Sequence, residues 1–264
     1  MKLVDIGANL AHDGFDHDRD AVLQRADAAG VDTVVITGSD LESSRKALAL
    51  ARATTSPPAL YATAGLHPHH ASDWNNAHAE AFRELAADPR LVALGECGLD
   101  YNRNYSPHDA QRRAFAAQLA LAVALRKPLF LHQRDAHADF LPMLREHRAQ
   151  LGHVVVHCFT DTRDALHDYL SLDCHIGITG WICDERRGAP LIESARDIPD
   201  DRLLVETDAP YLLPRTAPKV AHRRNEPAYL PWVVKSLAAA RGQVEAHVAG
   251  ITSANARRFF ALPL

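Results

Sequence analysis

Four short segments of this 264-residue chain each place a metal-binding or proton-carrying side chain directly after an aliphatic run. They are Gly95-Glu96-Cys97-Gly98, Leu131-His132, Val156-His157 and Glu206-Thr207-Asp208. Imidazoles and carboxylates are the donors that Zn, Mn and, less naturally, Mg accept. A single His or Glu past a strand is more often a solvated loop residue or one half of a surface ion pair. Four of them, each at the end of a different run, point instead to one shared cation. Glu96, His132 and His157 read as fixed ligands, and Asp208 as the group that takes a proton from water or shares the ion. A cation so held would acidify water and polarise a phosphoryl oxygen, so the chemistry is hydrolysis.

Cationic and aromatic residues close to the same segments suit a phosphodiester. Arg103 and Arg134 can each form two parallel bonds to phosphate oxygens, and His67 in Gly65-Leu66-His67-Pro68-His69 can donate to the same group. His69 and His70 read as solvated. Trp181 and Tyr211 could stack bases, against ordinary loop packing as the plainer alternative. Arg186-Arg187 and Arg223-Arg224 are paired loop charges, divided evenly between a solvated face and strand binding. Cys97 and Cys158 each follow a ligand candidate, so strand alternation turns them into the packing between strands and helices.

The elements that must position these groups are legible as eight β-branched or aliphatic runs between Ala-rich helical stretches. The runs are Leu3 to Ile6, Thr33 to Thr37, Leu60 to Ala64, Val92 to Gly95, Leu129 to His132, Val154 to His157, His175 to Ile178, and Leu203 to Thr207. Strands alternating with helices, without tight hairpins, imply right-handed crossovers and a parallel sheet. A doubly wound open sheet also fits, but the count of eight favours closure into a single (β/α)8 TIM barrel over residues 1–264, whose catalytic groups come from strand carboxyl ends. In the longest helix Ser106 caps, Pro107 takes the first helical position and Asp109 completes a capping box, ahead of an apolar stripe through Phe115, Leu119 and Ala122. Beyond Glu226, segments Leu230 to Ala240 and Ser253 to Phe260 read as helices covering the last strand.

Composition narrows the class. Hydrophobic residues make up 47% and charged residues 23%, as in soluble globular chains with a sizeable core. Asp5 interrupts the first apolar run before a signal-peptide core could form, and the four cysteines lack a disulfide pattern, so a cytoplasmic protein with reduced thiols and no membrane partner is expected. A net charge of -4 does not suit a grip on long duplex nucleic acid, so phosphate contacts must be few and local.

The strand-end residues lie inside stretches that resemble the TatD family of metal-dependent nucleases across nearly the whole chain. The likeness runs through Asp5-Ile6-Gly7-Ala8-Asn9-Leu10, Gly95 to Asp100, His132-Gln133-Arg134-Asp135-Ala136, His157-Cys158-Phe159-Thr160, Gly177 to Trp181, Glu206 to Tyr211, and Arg223-Arg224-Asn225-Glu226-Pro227. It implies a barrel enzyme that degrades single-stranded DNA, and also RNA, from 3′ ends. It carries Glu96, His132 and His157 over as metal ligands and Asp208 as the catalytic aspartate. Most of the wider family opens with a His-x-His pair on strand one, where this chain has Gly7 and Asn9. One firmly held divalent ion is therefore expected, with Asn9 and Arg223 left as strand contacts and a monomer as the working unit. Two other readings stay open: a metal-dependent amidohydrolase or a deacylase of misacylated tRNA, and a non-catalytic metal or nucleic-acid binding module.

Overall fold

In the computed structural model, which describes residues 2–218 and 223–263, eight strands form one sheet in sequence order, each parallel to the next. They are β1 Leu3–Ala8, β2 Val31–Ile36, β3 Ala59–Ala64, β4 Leu91–Asp100, β5 Leu129–Arg134, β6 Val154–Val156, β7 His175–Ile178 and β8 Leu203–Val205. Around them run α1 Arg19–Ala28, α2 Leu41–Ala53, α3 Asn76–Ala86, α4 His108–Leu125, α5 His137–His147, α6 Arg163–Ser171, α7 Ala189–Ser194, α8 Leu230–Arg241 and α9 Glu245–Phe259. No helix among the described residues is long and apolar enough to cross a membrane.

The expected eight runs are the eight strands. The largest difference is β4, which continues through Glu96 to Asp100, so that Glu96 lies inside a strand and follows a cis peptide bond from Gly95. Alternation does the positioning. Val4, Ile6, Val35, Phe130, Val155 and Leu204 share one apolar cluster although their strands lie on opposite sides of the sheet, so this cluster fills the barrel interior. Two residues further along the same inward face come His132, His157 and Glu206. Phe259 of α9 and Phe260 just past it join the cluster. That helix covers the amino ends of the first and last strands, where Ser253 donates to Lys2 O (2.8 Å) and Asn255 to Leu203 O (2.8 Å).

The seam between β1 and β8 is closed by bonds beyond the strand ends. Asp208 N–H donates to Gly7 O at 2.8 Å and Asn9 N–H to Ala209 O at 2.6 Å. The Asp5 carboxyl, fully buried, receives the Thr207 N–H at 3.0 Å and sits 2.5 Å from its hydroxyl. Burial pushes Asp5 up to about 7, against those hydrogen bonds, from an ordinary value of 3.8. Between these two pH values the folded state holds a proton that the unfolded state has released. Stability from this group is therefore complete below pH 4 and is lost as pH rises through 7. Asparagine reproduces the protonated carboxyl, so Asp5→Asn should gain stability relative to the parent across that window, by at most about 1.4 kcal/mol per pH unit. Urea melts of both proteins at pH 4.5 and 7.5 measure the difference; a constant gap would contradict it.

Helix α4 departs from its expected start. Its N-cap is Pro107, with no side-chain cap bond. The Ser106 hydroxyl instead donates to His69 O (2.9 Å) and accepts from Ser72 N–H (3.1 Å), and Asp109 pairs with Arg113. The capping-box pattern is local, whereas a partner reached across the fold satisfies the hydroxyl better. The apolar stripe of Phe115, Leu119 and Ala122 is fully buried, as its spacing requires.

Candidate metal centre

At the carboxyl end of the barrel a cavity of about 590 Å³ gathers Glu96, His132, His157 and Asp208, together with His67, Arg103, Arg134, Asn9, Trp181 and Tyr211. Arg223, the remaining expected contact, is exposed and does not line it. Arg224 makes ion-pair bonds to Asp18 at 2.9 and 2.6 Å, so this half of the charge pair is structural. Of the other loop pair, Arg187 faces the cavity and Arg186 does not.

The floor is organised by one oxygen. Glu96 Oε1 lies 3.0 Å from His132 Nδ1, 2.8 Å from His157 Nε2 and 3.3 Å from His67 Nε2. The other nitrogens of the first two rings face further buried carboxylates: His132 Nε2 is 3.2 Å from Asp100 Oδ2, and His157 Nδ1 is 3.4 Å from Glu206 Oε2. Glu206 is fully buried and accepts the Cys158 N–H at 2.7 Å. Burial would raise Glu96, but His67, His157 and His132 outweigh it and hold the carboxyl well below its usual range. Burial disfavours charge on His157 and His132 too, yet Glu206 and Glu96 lift the first well above its usual value, and Asp100 and Glu96 raise the second.

Glu96, Asp100, Glu206 and Asp208 form no ion pair with Lys or Arg among the described residues; their charged partners are imidazoles. Burial, reinforced by Glu96 and Glu206, pushes Asp208 up to about 7 despite nearby His157. Three buried carboxyls and the half-buried Asp208, with so little cationic charge, fit a divalent cation. Among the described residues, one donor atom each from His67, Glu96 and His132 lies within 4.8 Å of the others. His67, however, accepts the His69 N–H at Nδ1 (3.1 Å), which leaves the proton on Nε2 and makes that atom a donor toward the cavity. Asp100 is placed to hold the His132 ring proton, the usual arrangement behind a ligating imidazole, whereas Glu206 approaches His157 Nδ1 without a hydrogen bond between them.

The two strand-one positions are committed elsewhere. A Cβ at Gly7 would sit 2.4 Å from Glu206 Oε2, and one at Gly177 would sit 2.8 Å from Glu206 Oε1, so these glycines make the seat of Glu206. Asn9 Nδ2–H donates to Asp208 Oδ1 at 3.1 Å.

Two expectations need correction. His69 is not a solvated loop residue: its Nε2 lies 3.0 Å from Asp100 Oδ2 and its ring meets Tyr105 edge-on. His70 is exposed, as expected. Cys158 does not turn into the outer packing as Cys97 does; β6 ends at Val156, and Cys158 takes φ 46° and lines the cavity. Burial, then Asp208 and Glu206, hold its thiol far above the ordinary range, so it is neutral. Asp100 and Glu206 carried no assigned role in the sequence, although both are acids set at the ends of otherwise apolar runs.

Residues 4–261 match the TatD related DNase family. The "3'-5' ssDNA/RNA exonuclease TatD" of Musicola paradisiaca is 51% identical, with 98% of each chain covered. The protein of that name from Escherichia fergusonii is 48% identical, covering 98% of this chain and 99% of the other. Among solved structures, a TatD homolog of Escherichia coli K12 is 27% identical at a TM-score of 0.88, covering 99% of this chain and 98% of that one. The phosphotriesterase homology protein of Escherichia coli, 17% identical with a TM-score of 0.67 and 98% of each chain covered, shares the fold alone. On this full-length likeness and the barrel that carries it, the chain belongs to the TatD related DNase family.

Proposed function

We propose that this chain is a divalent-metal-dependent 3′-5′ exonuclease that hydrolyses phosphodiester bonds of single-stranded DNA and of RNA. The observation that carries the reading is the group of imidazoles around Glu96, set among four carboxyls that have no Lys or Arg partner among the described residues. The relatives named for the same activity support it. Glu96, His132 and His157 would hold one cation of the Mg, Mn or Zn kind, with Asp208 beside it. When bound, such a cation supplies Lewis-acid chemistry, polarising a phosphoryl oxygen and making water a stronger acid. The seats of Gly7 and Asn9 favour a single firmly held ion.

The chain's own groups supply the rest. Asp208 receives the proton of the attacking water, and Asn9 holds its carboxylate in place by donating to one oxygen. His67, kept neutral because burial depresses it to about 4, donates from Nε2 to a phosphate oxygen. Arg103 and Arg134 face the cavity, and their guanidinium groups take no partner among the described residues, which leaves both free for phosphate. If each neutralises one phosphate, Arg103→Ala and Arg134→Ala should each flatten the log-log salt dependence of single-strand binding by about 0.7. Fluorescence anisotropy over a salt series measures the slope; an unchanged slope removes that arginine from the phosphate path.

Asp100 fixes the tautomer of His132. In Asp100→Asn an amide N–H would face His132 Nε2, forcing that nitrogen to accept and turning Nδ1–H toward Glu96. Metal affinity should fall about 10- to 100-fold. Calorimetric titration with Mn²⁺ reads this; an unchanged affinity would release Asp100 from the role.

The reading takes the enzyme as a cytoplasmic monomer, its four free cysteines suiting a reducing compartment. The test is to strip the protein with a chelator, restore Mg, Mn and Zn separately, and follow end-labelled single-stranded DNA. Stepwise release of mononucleotides from the 3′ end with one metal supports the proposal. Inert DNA beside rapid ester or amide cleavage would favour carbonyl hydrolysis, and no cleavage at all beside metal-dependent DNA binding would favour a binding module.

A further inference from the structure

The cavity wall formed by the segment after β7 contains a feature that hydrolysis itself does not use. The Arg187 guanidinium carbon lies 4.9 Å from the centroid of the Trp181 ring, and both residues face the cavity. This stack is held from beneath. Asp184 accepts the Arg186 and Arg187 N–H groups at 2.9 and 3.3 Å, and its other oxygen lies 3.4 Å from Arg187 Nε. Thr179 accepts the Trp181 N–H at 3.3 Å. Gly180 and Gly188 permit the tight course of the segment: a Cβ on the first would lie 2.1 Å from Leu212 O, and on the second 2.7 Å from Asp184 O. The Arg187 guanidinium, its side chain 65% exposed, thus sits over the indole on a segment that hydrogen bonds and close backbone approaches hold in place.

Arg103 lies just past β4 and Arg134 ends β5, while this segment follows β7, and all three regions line the same cavity. A cavity of about 590 Å³ is larger than a phosphodiester alone needs and falls in the usual range for small organic ligands. A nucleotide has both a phosphate and a flat π-face, and the walls offer a partner for each. We propose that the Arg187–Trp181 stack is a nucleobase subsite, which seats the base of a nucleotide flanking the scissile phosphate by stacking on the guanidinium plane. This rests on the exonuclease reading of the same site. Stacking uses the π-face that every base has, so the subsite accepts all four bases. It sets the position of the strand and leaves the reacting atoms to the floor.

The experiment pairs enzyme and substrate changes. Single-stranded oligodeoxynucleotides, intact or carrying one abasic residue at the 3′-terminal or the penultimate position, are given to the metal-loaded parent, to Trp181→Ala and to Arg187→Ala. The parent should show a KM roughly tenfold higher for one of the two abasic substrates. Each variant should raise KM on the intact strand by a similar factor, with much smaller change in kcat, and should lose nothing further on that abasic strand. Arg187 is an exposed side chain, so its variant keeps the test open if Trp181→Ala does not fold. Unchanged KM in the Arg187 variant, or enzyme and substrate effects that multiply, would overturn the subsite. If the parent cleaves no single strand at all, the reaction assigned above falls, and the subsite is then judged by anisotropy binding of the same intact and abasic strands. Equal affinity for both would overturn it there too.

Discussion

Replacing Glu96 with glutamine should lower the rate of single-strand hydrolysis by at least about 100-fold, equivalent to about 2.7 kcal/mol of transition-state stabilisation. The reason is the number of groups that converge on one oxygen. Glu96 Oε1 faces His132, His157 and His67 within 3.3 Å, so glutamine presents either a neutral oxygen or an N–H to three rings that the carboxylate now organises. With the negative charge gone, the ring nitrogens lose the anion that orients them, and the cation loses a charged donor. Calorimetric titration should show metal affinity falling with activity. The substitution changes little volume, and thermal melting of the metal-free protein checks that the barrel is retained. Full activity with weakened metal binding would separate the ion from the chemistry and undo the assignment.

Asp208→Asn should cost a similar factor, about 100-fold or more, but principally in kcat. Asparagine keeps the shape and can still accept from Asn9, whose amide donates to Asp208 Oδ1 at 3.1 Å. What it cannot do is take a proton from water. Burial lifts the Asp208 carboxyl to about 7 without metal, and a cation beside it would lower it again, leaving a carboxylate able to accept a proton at neutral pH. Single-turnover rates on a labelled oligonucleotide, with binding measured separately, distinguish this from a loss of affinity. If Asp208→Asn cleaved as fast as the parent while Glu96→Gln did not, proton transfer would have to be moved to another group.

Much of this was legible before any coordinates. The strands could be read because inward and outward positions of a barrel strand are both apolar, so each appears as a short continuous run, and eight such runs close a barrel. The four residues proposed for the site stand out because each follows an apolar run, and they share one cavity. The supporting groups were not. Asp100 and Glu206 lie beside His132 and His157, and nothing in local sequence says that an acid at one strand end will stand behind an imidazole at another. Gly7 could be seen as unable to ligate, but its positive use, leaving room for Glu206, exists only once β1 and β8 are brought together. The Cys158 expectation fails for a backbone reason: Cys158 lies two residues past the end of β6, and a residue at φ 46° no longer obeys strand alternation. The Ser106 cap failed because Ser72 and His69, more than thirty positions away, compete for the same hydroxyl.

The central claim is that Glu96, His132 and His157 share one cation. Crystals of the protein grown with Mn²⁺ and measured at the manganese absorption edge test it directly. The account requires one strong anomalous peak within about 2.0 to 2.3 Å of a Glu96 oxygen and of the facing nitrogens of His132 and His157. A peak bound elsewhere, with these three residues left in contact only with one another in protein that still cleaves single-stranded DNA, would contradict it.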